Sequence, residues 1–441
     1  ARGGGGVWGA GGAGRRGRGG PPLCGGEGLP RAASSPRGGG RLAGPLAETF
    51  RQALHDHRAG KLEQAELGYR RVLRAMPRHV GSLQNLGVIC RGRGQREEAL
   101  GLYRRALAQA PDHPALHLNV GNLLFDLGHH AEAEKHFRVA SQAATEESPA
   151  LYGLGQALFR QERVGEAAEA FRRLLDKVPE HRKAWRNLAV CLDKLGRKAE
   201  ALEAYERLLV LDPTDEDARF LVDAKRGRNA DRAPAAYVQR FFDGYAATFE
   251  SHLRGQLAYR TPELLLDLLT RHIAPGHRFA RALDLGCGTG LMGPLLRPLC
   301  GRLDGVDLSA GMIERAREKA SYDGLFVDDI VAFLAATDDG ADLVVAADVL
   351  VYLGDLAPLF AGVAARIAEG GLFLFSTEHG EGDDFVLLPK ARYRHATAYL
   401  HRLAAAHGLA AVASETAPIR LEPEGPVTGG LHLLRRVPMQ R

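Results

Sequence analysis

The fold of the C-terminal half is decided by one stretch, Leu283-Asp284-Leu285-Gly286-Cys287-Gly288-Thr289-Gly290. Its apolar beginning is typical of a buried strand, and the three glycines that follow at alternate positions have no Cβ atom. Such a turn bends the chain at the end of a strand and brings backbone N–H groups close to a ligand at the start of the next helix. The stretch therefore predicts a strand, a glycine turn and a helix that together bind a nucleotide-type ligand.

Past this turn the sequence alternates between short apolar runs and helical patterns, which indicates a mainly parallel sheet covered by helices on both faces. Ligands of such sheets bind beyond the carboxyl ends of the strands, beside the first strand, where the glycine turn lies. We expect seven strands: Arg281–Leu285, Leu303–Asp307, Leu325–Val327, Leu343–Ala347, Leu372–Ser376, Ala411–Ser414 and Leu431–Leu434.

Acidic residues accompany the first three predicted strands. An adenosyl nucleoside offers hydroxyl and amino donors, for which carboxylate oxygens are matching acceptors. Asp307 ends the second strand and is expected to accept from the ribose hydroxyls. Asp329, with Asp328 as the alternative, follows the third strand and is expected at the adenine, together with the Ile330 backbone. Asp284 precedes the first glycine by two residues and is expected to reach the amino group of the cofactor.

The N-terminal half repeats every 34 residues between positions 46 and 213. A period of this length predicts an all-α solenoid, closed by a last helix near 215–226. Glycine marks most turns between paired helices, with Glu162 in its place in the fourth copy. Each copy also has a small residue followed four positions later by an aromatic ring on the same helix face: Ala65 and Tyr69, Ala99 and Tyr103, Ala133 and Phe137, Ala167 and Phe171, Ala201 and Tyr205.

These patterns resemble two known families. Residues 46–213 resemble the tetratricopeptide repeat, and Asp284-x-Gly286-x-Gly288-x-Gly290 with Asp307 resembles the signature of class I S-adenosylmethionine-dependent methyltransferases over residues 235–437. The combination is similar to a group of predicted methyltransferases with N-terminal tetratricopeptide repeats. It implies a Rossmann-like α/β domain after the solenoid, S-adenosyl-L-methionine as the cofactor and no metal. The cofactor-binding residues that we expect are Asp284, Gly286, Cys287, Gly288, Thr289, Gly290, Asp307, Leu308, Asp328, Asp329, Ile330 and Tyr245.

A dinucleotide-binding motif can be read from the same letters. The run from Gly288 to Gly293 matches G-x-G-x-x-G, and Asp307 follows Gly288 by 19 residues. In that motif the first glycine follows the strand directly, and the strand is apolar to its end. Here Gly286 already occupies that point and Asp284 lies inside the strand. The sequence therefore favours methyl transfer over nicotinamide or flavin chemistry.

Candidate residues for the methyl acceptor follow the fourth and fifth strands. Asp348 and Tyr352 come after the fourth strand and are expected to face the transfer site. His379 and His395 follow the fifth strand or lie in the insert beyond it, and a histidine there is a candidate general base. The Asn/Asp-Pro-Pro-Tyr/Phe sequence of enzymes that methylate nucleic-acid amines is missing, which disfavours N-methylation of bases.

Two further groups are candidates for contact with the ligands. In the helix before the sheet, Tyr245 and Phe249 are spaced to lie on one face, with Tyr245 near the cofactor. Arg260 and Arg420 are candidates for binding an acidic substrate, with surface ion pairing as the alternative for each.

Composition limits the partners and the compartment. Residues 1–44 contain eighteen Gly, seven Arg and one Glu, so the net charge of +5 becomes −1 without them, and we expect no nucleic-acid partner. The five cysteines are widely spaced, and no apolar run is long enough to span a membrane. We expect a cytoplasmic protein, with an organelle-targeting function of the N-terminus as the alternative.

The expected organisation has four parts: a disordered tail at 1–45, five repeats and a closing helix at 46–226, a polar linker at 227–234, and the methyltransferase domain at 235–437. We expect O-methylation of a small molecule, while the solenoid binds a protein or peptide partner or oligomerises. The alternatives are methylation of a protein that the solenoid recruits and a non-catalytic adaptor with a retained cofactor fold.

Overall fold

The computed structural model describes residues 42–143, 149–255, 257–422 and 425–438. The tail predicted at 1–45 lies outside the described residues up to position 41. The described residues up to Ala204 form one compact unit, and those from Tyr205 form a second. None of the helices in the described ranges is long and apolar enough to cross a membrane.

The repeats form helices that follow one another in antiparallel pairs, as the 34-residue period predicts. Their described bounds are α1 Gly44–Arg58, α2 Leu62–Ala75, α3 Val80–Gly92, α4 Arg96–Leu107, α5 Pro114–Asp126, α6 His130–Ala143, α7 Pro149–Arg160, α8 Val164–Lys177, α9 Arg182–Lys194 and α10 Lys198–Leu211. The boundary between the two units falls inside α10.

The helices of a repeat approach closely because aromatic rings pack against glycine. A Cβ atom added to Gly121 would lie 2.7 Å from the ring of Phe137, and one added to Gly155 would lie 2.6 Å from the ring of Phe171. Both rings are buried. The aromatic position of the repeat therefore fills the space that a missing side chain leaves on the neighbouring helix.

The turn between paired helices uses the left-handed backbone conformation that glycine adopts without strain. Gly94 and Gly128 have φ of 80° and 84°. Glu162, which replaces the glycine in the fourth copy, keeps the same conformation with φ of 61°. The turn geometry is therefore retained at some cost in backbone strain at this one residue.

The second unit continues with helices and strands in alternation. Its remaining helices are α11 Glu216–Arg226, α12 Ala235–Tyr245, α13 Phe249–Gly255, α14 Thr261–Thr270, α15 Gly293–Leu296, α16 Ala310–Glu318, α17 Ile330–Ala336, α18 Ala357–Arg366 and α19 Thr397–Ala406. Its strands are β1 Phe279–Leu285, β2 Cys300–Asp307, β3 Gly324–Val327, β4 Ala341–Ala346, β5 Ile367–Gly380, β6 Phe385–Leu388, β7 Arg392–Ala396, β8 Leu409–Glu422 and β9 Gly425–Arg436.

The strands form one mixed sheet in the order β3-β2-β1-β4-β5-β7-β6, while β9 pairs with β5 and β8. Strands β1 to β5 are parallel to their neighbours in this series, and β9 is antiparallel to both of its partners. The predicted fold class is confirmed, but the described sheet has nine strands rather than seven. The sequence did not reveal β6 and β7 because both are short and β7 carries two arginines and a histidine, which hide the alternation of a strand.

The segment predicted as a linker is bound to the second unit. We call residues 229–233 the strap. Its backbone and side-chain hydrogen bonds are Asn229 Nδ2 to Phe385 O (2.9 Å), Leu387 N to Asn229 Oδ1 (2.8 Å), Tyr393 Oη to Ala230 O (2.9 Å), Gly354 N and Asp355 N to Asp231 O (2.8 and 2.7 Å) and Ala233 N to Tyr352 O (3.0 Å). Beside it, Phe220 of α11 is buried in a cluster with Leu387 and Tyr393. Helix α11 and the strap are therefore integral to the second unit.

Candidate active site

The glycine turn follows β1 and has a left-handed backbone at every glycine. Gly286, Gly288 and Gly290 have φ of 70°, 54° and 79°. A Cβ atom on Gly286 would clash with Val349, whereas one on Gly288 would meet no atom within 4 Å. The first glycine is therefore required by packing, and the second leaves open space next to the backbone. Helix α15, which follows, is a single turn, so the loop itself rather than a long helix presents the N–H groups.

Asp307 is the last residue of β2 and links the two loops at this edge of the sheet. Its Oδ2 accepts from the backbone N–H of Gly288 at 2.9 Å, and its Oδ1 accepts from that of Ser309 at 2.8 Å. Burial raises the pKa of Asp307 to about 6, against the effect of these two donors. Leu308 lies partly exposed in the same loop.

Asp284 lies fully buried inside β1, beneath the turn. Tyr322 donates its hydroxyl to Asp284 Oδ2 at 2.7 Å, while Oδ1 is buried without a hydrogen-bond partner among the described residues. Burial raises the pKa of Asp284 to about 7. The hydroxyl of Thr289 is likewise buried and unpartnered, and burial keeps the thiol of Cys287 protonated by raising its pKa. Buried polar atoms without a partner in the protein can be satisfied by a ligand or by water.

The structure separates the roles of the two acids after β3. Asp329 caps α17 by accepting from Val331 N at 3.1 Å, and its other oxygen forms an ion pair with Arg232 of the strap. Asp328 is exposed, and the only described hydrogen bond of its carboxylate is with the N–H of Asp329. Its own backbone N–H donates to Asp307 O at 3.1 Å. Asp328, the alternative in the sequence analysis, is therefore the freer acceptor, and the adjoining Ile330 is buried at the start of α17.

Helices α12 and α13 contact the loops after β1 and β2 through residues that the sequence pattern does not mark. Asp243 accepts from Ser309 Oγ at 2.5 Å. Lys319 donates to Thr289 O at 2.7 Å and forms an ion pair with Glu250. No local motif marks Asp243 or Lys319, because their partners are 66 and 30 residues away.

An aromatic cluster lies on the same two helices. The ring of Tyr245 is 5.2 Å from that of Phe249, and its hydroxyl hydrogen-bonds His252. Phe242 packs edge-on against Tyr352 with the centroids 5.4 Å apart. The expected pair of Tyr245 and Phe249 is thus part of an apolar wall that also includes Tyr352.

Asp348 has a strained backbone, with φ of 54° in a residue that is not glycine. Its N–H donates to Ser376 Oγ at 2.8 Å, and Arg420 approaches its Oδ1 at 3.3 Å, while its second oxygen has no partner among the described residues. Burial raises the pKa of Asp348, and the charge of Arg420 opposes this shift. A residue whose backbone is strained and whose carboxylate has a free oxygen is suited to proton transfer or substrate contact.

The two candidate histidines occupy adjacent positions on β5 and β7. His395 is fully buried, and its Nε2–H donates to the carbonyls of Leu353 and Gly354 at 2.9 and 3.2 Å. Burial lowers the pKa of His395 to about 4, so the structure does not support it as a base for an external substrate. His379 is partly exposed, its Nδ1 is buried without a partner among the described residues, and its catalytic role stays a prediction.

A buried ionic network lies at the ends of β5, β7 and β8, with Arg420 at its centre. Arg420 is 3% exposed and bonds Asp348, Glu378 and Glu422 through its three nitrogens. Arg392 contacts Glu378 and Glu422 at 3.2 and 3.0 Å. Arg420 is therefore neither a surface ion pair nor free for an acidic substrate. Arg260 is exposed.

The described residues contain no group of three or more His, Cys, Asp or Glu side chains arranged to hold a metal ion.

Comparison with known proteins identifies both units. Residues 91–158 and 152–216 match families described as tetratricopeptide repeat, and residues 283–373 match the family described as methyltransferase domain. The chain is 38% identical over 86 residues to human methyltransferase-like protein 27, covering 19% of this chain and 35% of that protein. It is 33% identical over 127 residues to the ubiquinone biosynthesis O-methyltransferase of Methylocella silvestris, covering 26% of this chain and 50% of that protein. The chain thus spans a third to a half of the length of these curated relatives.

Among solved structures, the magnesium protoporphyrin IX methyltransferase of Synechocystis PCC 6803 with bound SAM matches with 17% identity and a TM-score of 0.37, over 47% of this chain and 99% of that one. The repeats and the glycine turn with its acids together lead to one assignment: the chain joins tetratricopeptide repeats to a class I methyltransferase domain.

Proposed function

We propose that the second unit transfers a methyl group from S-adenosyl-L-methionine to an oxygen atom of a small molecule. The observation that carries this proposal is the pair of carboxylates at the glycine turn, of which Asp284 is fully buried and Asp307 is half-buried. Neither Asp284 nor Asp307 has a cationic partner among the described residues, and burial raises the pKa of both. Carboxylates without a counter-charge favour a cationic ligand and disfavour a pyrophosphate, which supports a sulfonium cofactor over a dinucleotide.

The residues of the loop fit the groups of this cofactor. Asp307 retains lone pairs for the ribose hydroxyls beside the open backbone of Gly288. Asp328 has Oδ2 available for the adenine amino group, since its Oδ1 accepts from the N–H of Asp329. Asp284 Oδ1 is the buried acceptor available to the cofactor's amino group. When bound, S-adenosylmethionine supplies an electrophilic methyl group whose transfer removes the charge on sulfur.

The protein aligns the acceptor and takes up its proton. The rings of Phe242, Tyr245 and Tyr352 exclude water from this side of the site. Asp348 is positioned by its backbone N–H, which donates to Ser376 Oγ, and by Arg420, which contacts Oδ1. Its second carboxylate oxygen can accept the proton of an alcohol or phenol. Relatives named as O-methyltransferases support oxygen as the acceptor atom.

The repeats serve partner binding in this proposal, because the described groups of catalytic type lie in the second unit. A protein substrate recruited by the solenoid is the second candidate, and it is supported by the matches to the tetratricopeptide repeat.

Isothermal titration calorimetry of the full chain tests the proposal. We expect S-adenosylhomocysteine to bind with a micromolar Kd, and nicotinamide dinucleotide not to bind. A folded chain that binds the dinucleotide instead, or binds neither ligand, contradicts the assignment. Labelled methyl transfer to a small-molecule extract, lost in Asp307→Ala, distinguishes an enzyme from a non-catalytic adaptor.

A further inference from the structure

The guanidinium of Arg392 is only half engaged by the protein. Its Nη1 contacts both Glu378 and Glu422, whereas Nε and Nη2 have no partner among the described residues. The side chain is 21% exposed, so this free edge is accessible although the residue lies within the network. The Nε–Nη2 edge of arginine is one on which a carboxylate binds through two parallel hydrogen bonds.

Among the described residues, the other arginines of this region lack either a free edge or a fixed position. All three kinds of nitrogen in Arg420 are bonded to carboxylates of the protein. Arg394, on the same strand as Arg392, is exposed and only approaches Glu378, at 3.9 Å. Arg392 is thus the arginine of the network with a fixed position and free donors.

Arg392 lies near the aromatic wall, because Tyr352 packs against the cluster that contains Ala391 and Tyr393, the two neighbours of Arg392 in the chain. Its charge acts on Tyr352 and Tyr245, where it opposes the rise in pKa that burial causes. It also acts on Asp348, the residue with the strained backbone and the free oxygen. A ligand group bound to Arg392 would therefore lie close to both the wall and the proposed proton acceptor.

The acids of the network leave the free edge of Arg392 available for an anion. Both acids that contact Arg392 are shared with other cations: Glu378 with Arg420, and Glu422 with Arg420 and Lys390. A carboxylate of the ligand would complete the partners of Arg392 without placing two unpaired charges together.

We infer that Arg392 anchors a carboxylate of the methyl acceptor, so that the acceptor is a small carboxylic acid with a second, methylated oxygen. This inference rests on the proposed function and adds the class of substrate. Because the anchored carboxylate is not the atom that reacts, the methylated product keeps its negative charge.

Thermal unfolding of the full chain, saturated with S-adenosylhomocysteine, tests the anchor. The probes are three acids with their neutral amides at matched ionic strength: acetate and acetamide, succinate and succinamide, benzoate and benzamide. We expect at least one acid to raise Tm by about 2 °C or more over its amide. Arg392→Gln and Arg392→Lys are expected to abolish this difference in Tm and to leave the Kd of S-adenosylhomocysteine unchanged. Arg394→Gln, the matched control on the same strand, is expected to retain the difference in Tm.

The outcomes separate the anchor from the proposed function. If each acid stabilises the wild-type protein no more than its amide, Arg392 does not bind a carboxylate, although cofactor binding stands. The same conclusion follows if the preference for the acid over its amide survives in both Arg392 variants. If S-adenosylhomocysteine does not bind, the proposed function itself fails. In a transfer assay with cell extract, we expect an anion exchanger to retain the labelled product at pH 7. A neutral product whose label is released as methanol in mild base would show that the carboxylate itself is methylated, and would contradict its binding to Arg392.

Discussion

Charged side chains are used in opposite ways in the two units. In the repeats, Arg70, Arg138 and Arg172 each pair with a glutamate 28 residues later, along the surface of successive copies. In the second unit, the buried Arg420 pairs with three carboxylates, of which Glu378 is also buried. The surface pairs can be lost one at a time, whereas removal of a member of the network leaves a buried charge without a partner.

The acids of the two units also differ in the direction of their pKa shifts. Glu134 of the repeats accepts hydrogen bonds from Gln161, Arg138 and Arg163, which together outweigh burial and lower its pKa. Asp284 and Asp307 have no cationic partner in the described ranges, and burial raises their pKa. The repeats thus pair their charged groups with one another, whereas the carboxylates at the glycine turn are left for a ligand to pair with.

The largest expected difference between the units is in stability. Glu378→Gln leaves Arg420 without a full partner and is expected to cost about 3 kcal/mol of the free energy of unfolding, with little dependence on salt. Glu200→Gln, the matched change in the repeats, is expected to cost less than about 1 kcal/mol and to lose its effect in high salt. Chemical denaturation at two salt concentrations measures both. Equal costs for the two variants would remove the distinction.

The next effect is on cofactor affinity. Asp307→Ala removes a charged acceptor at the turn and is expected to weaken binding of S-adenosylhomocysteine about 100-fold. Asp126→Ala in the repeats, which removes a 2.6 Å surface pair with Arg91, is expected to leave the Kd unchanged. Calorimetry compares the two, and wild-type affinity in Asp307→Ala would place the ribose elsewhere.

A third difference lies in where the chain can be divided. A fragment that begins at Tyr205 retains α11 and the strap, and we expect it to bind S-adenosylhomocysteine as the full chain does. A fragment that begins at Ala235 loses the strap and the burial of Phe220, which alone contributes about 2 kcal/mol. Thermal unfolding of the two fragments measures the loss. Equal Tm values would mean that the strap does not stabilise the domain.

The smallest effect is a dependence of affinity on pH. The carboxyl groups of Asp284 and Asp307 have a pKa of about 7 and about 6, so both become protonated as the pH falls from 8 to 5. A cationic cofactor favours their ionised forms, so binding releases protons. Between pH 7.5 and pH 6.5 the affinity for S-adenosylmethionine is expected to decrease by at most about fivefold. Calorimetry in two buffers of different ionisation enthalpy counts the protons. Asp284→Asn should remove the part of this release near pH 7, and release that is unchanged in this variant would contradict the assignment.

The extent to which the sequence predicted each unit follows from the spacing of the contacts. The repeats were predicted residue by residue, because every packing pair, such as Ala65 and Tyr69, recurs in register. The first five strands and the acids Asp284 and Asp307 could be placed because a strand, its turn and the following acid are consecutive in the chain. Their roles in cofactor binding remain predictions.

The region around Asp348, Arg392 and Arg420 was predicted less well, because its contacts join distant parts of the chain. Arg420 meets Asp348 across 72 residues, and no local pattern connects them. Arg392 lies on a strand that the sequence analysis did not find, and His395 was chosen as a base although its ring is bonded to backbone carbonyls 41 and 42 residues away.

The strap also determines how repeats can be exchanged between proteins of this kind. Five consecutive residues, 229–233, are tied to the strands and loops around the site, so a spacer of arbitrary length cannot replace them. A chimera with foreign repeats needs its junction upstream of Tyr205. Natural variation in the number of repeats is then expected N-terminal to this point, with a constant spacing between α11 and β1.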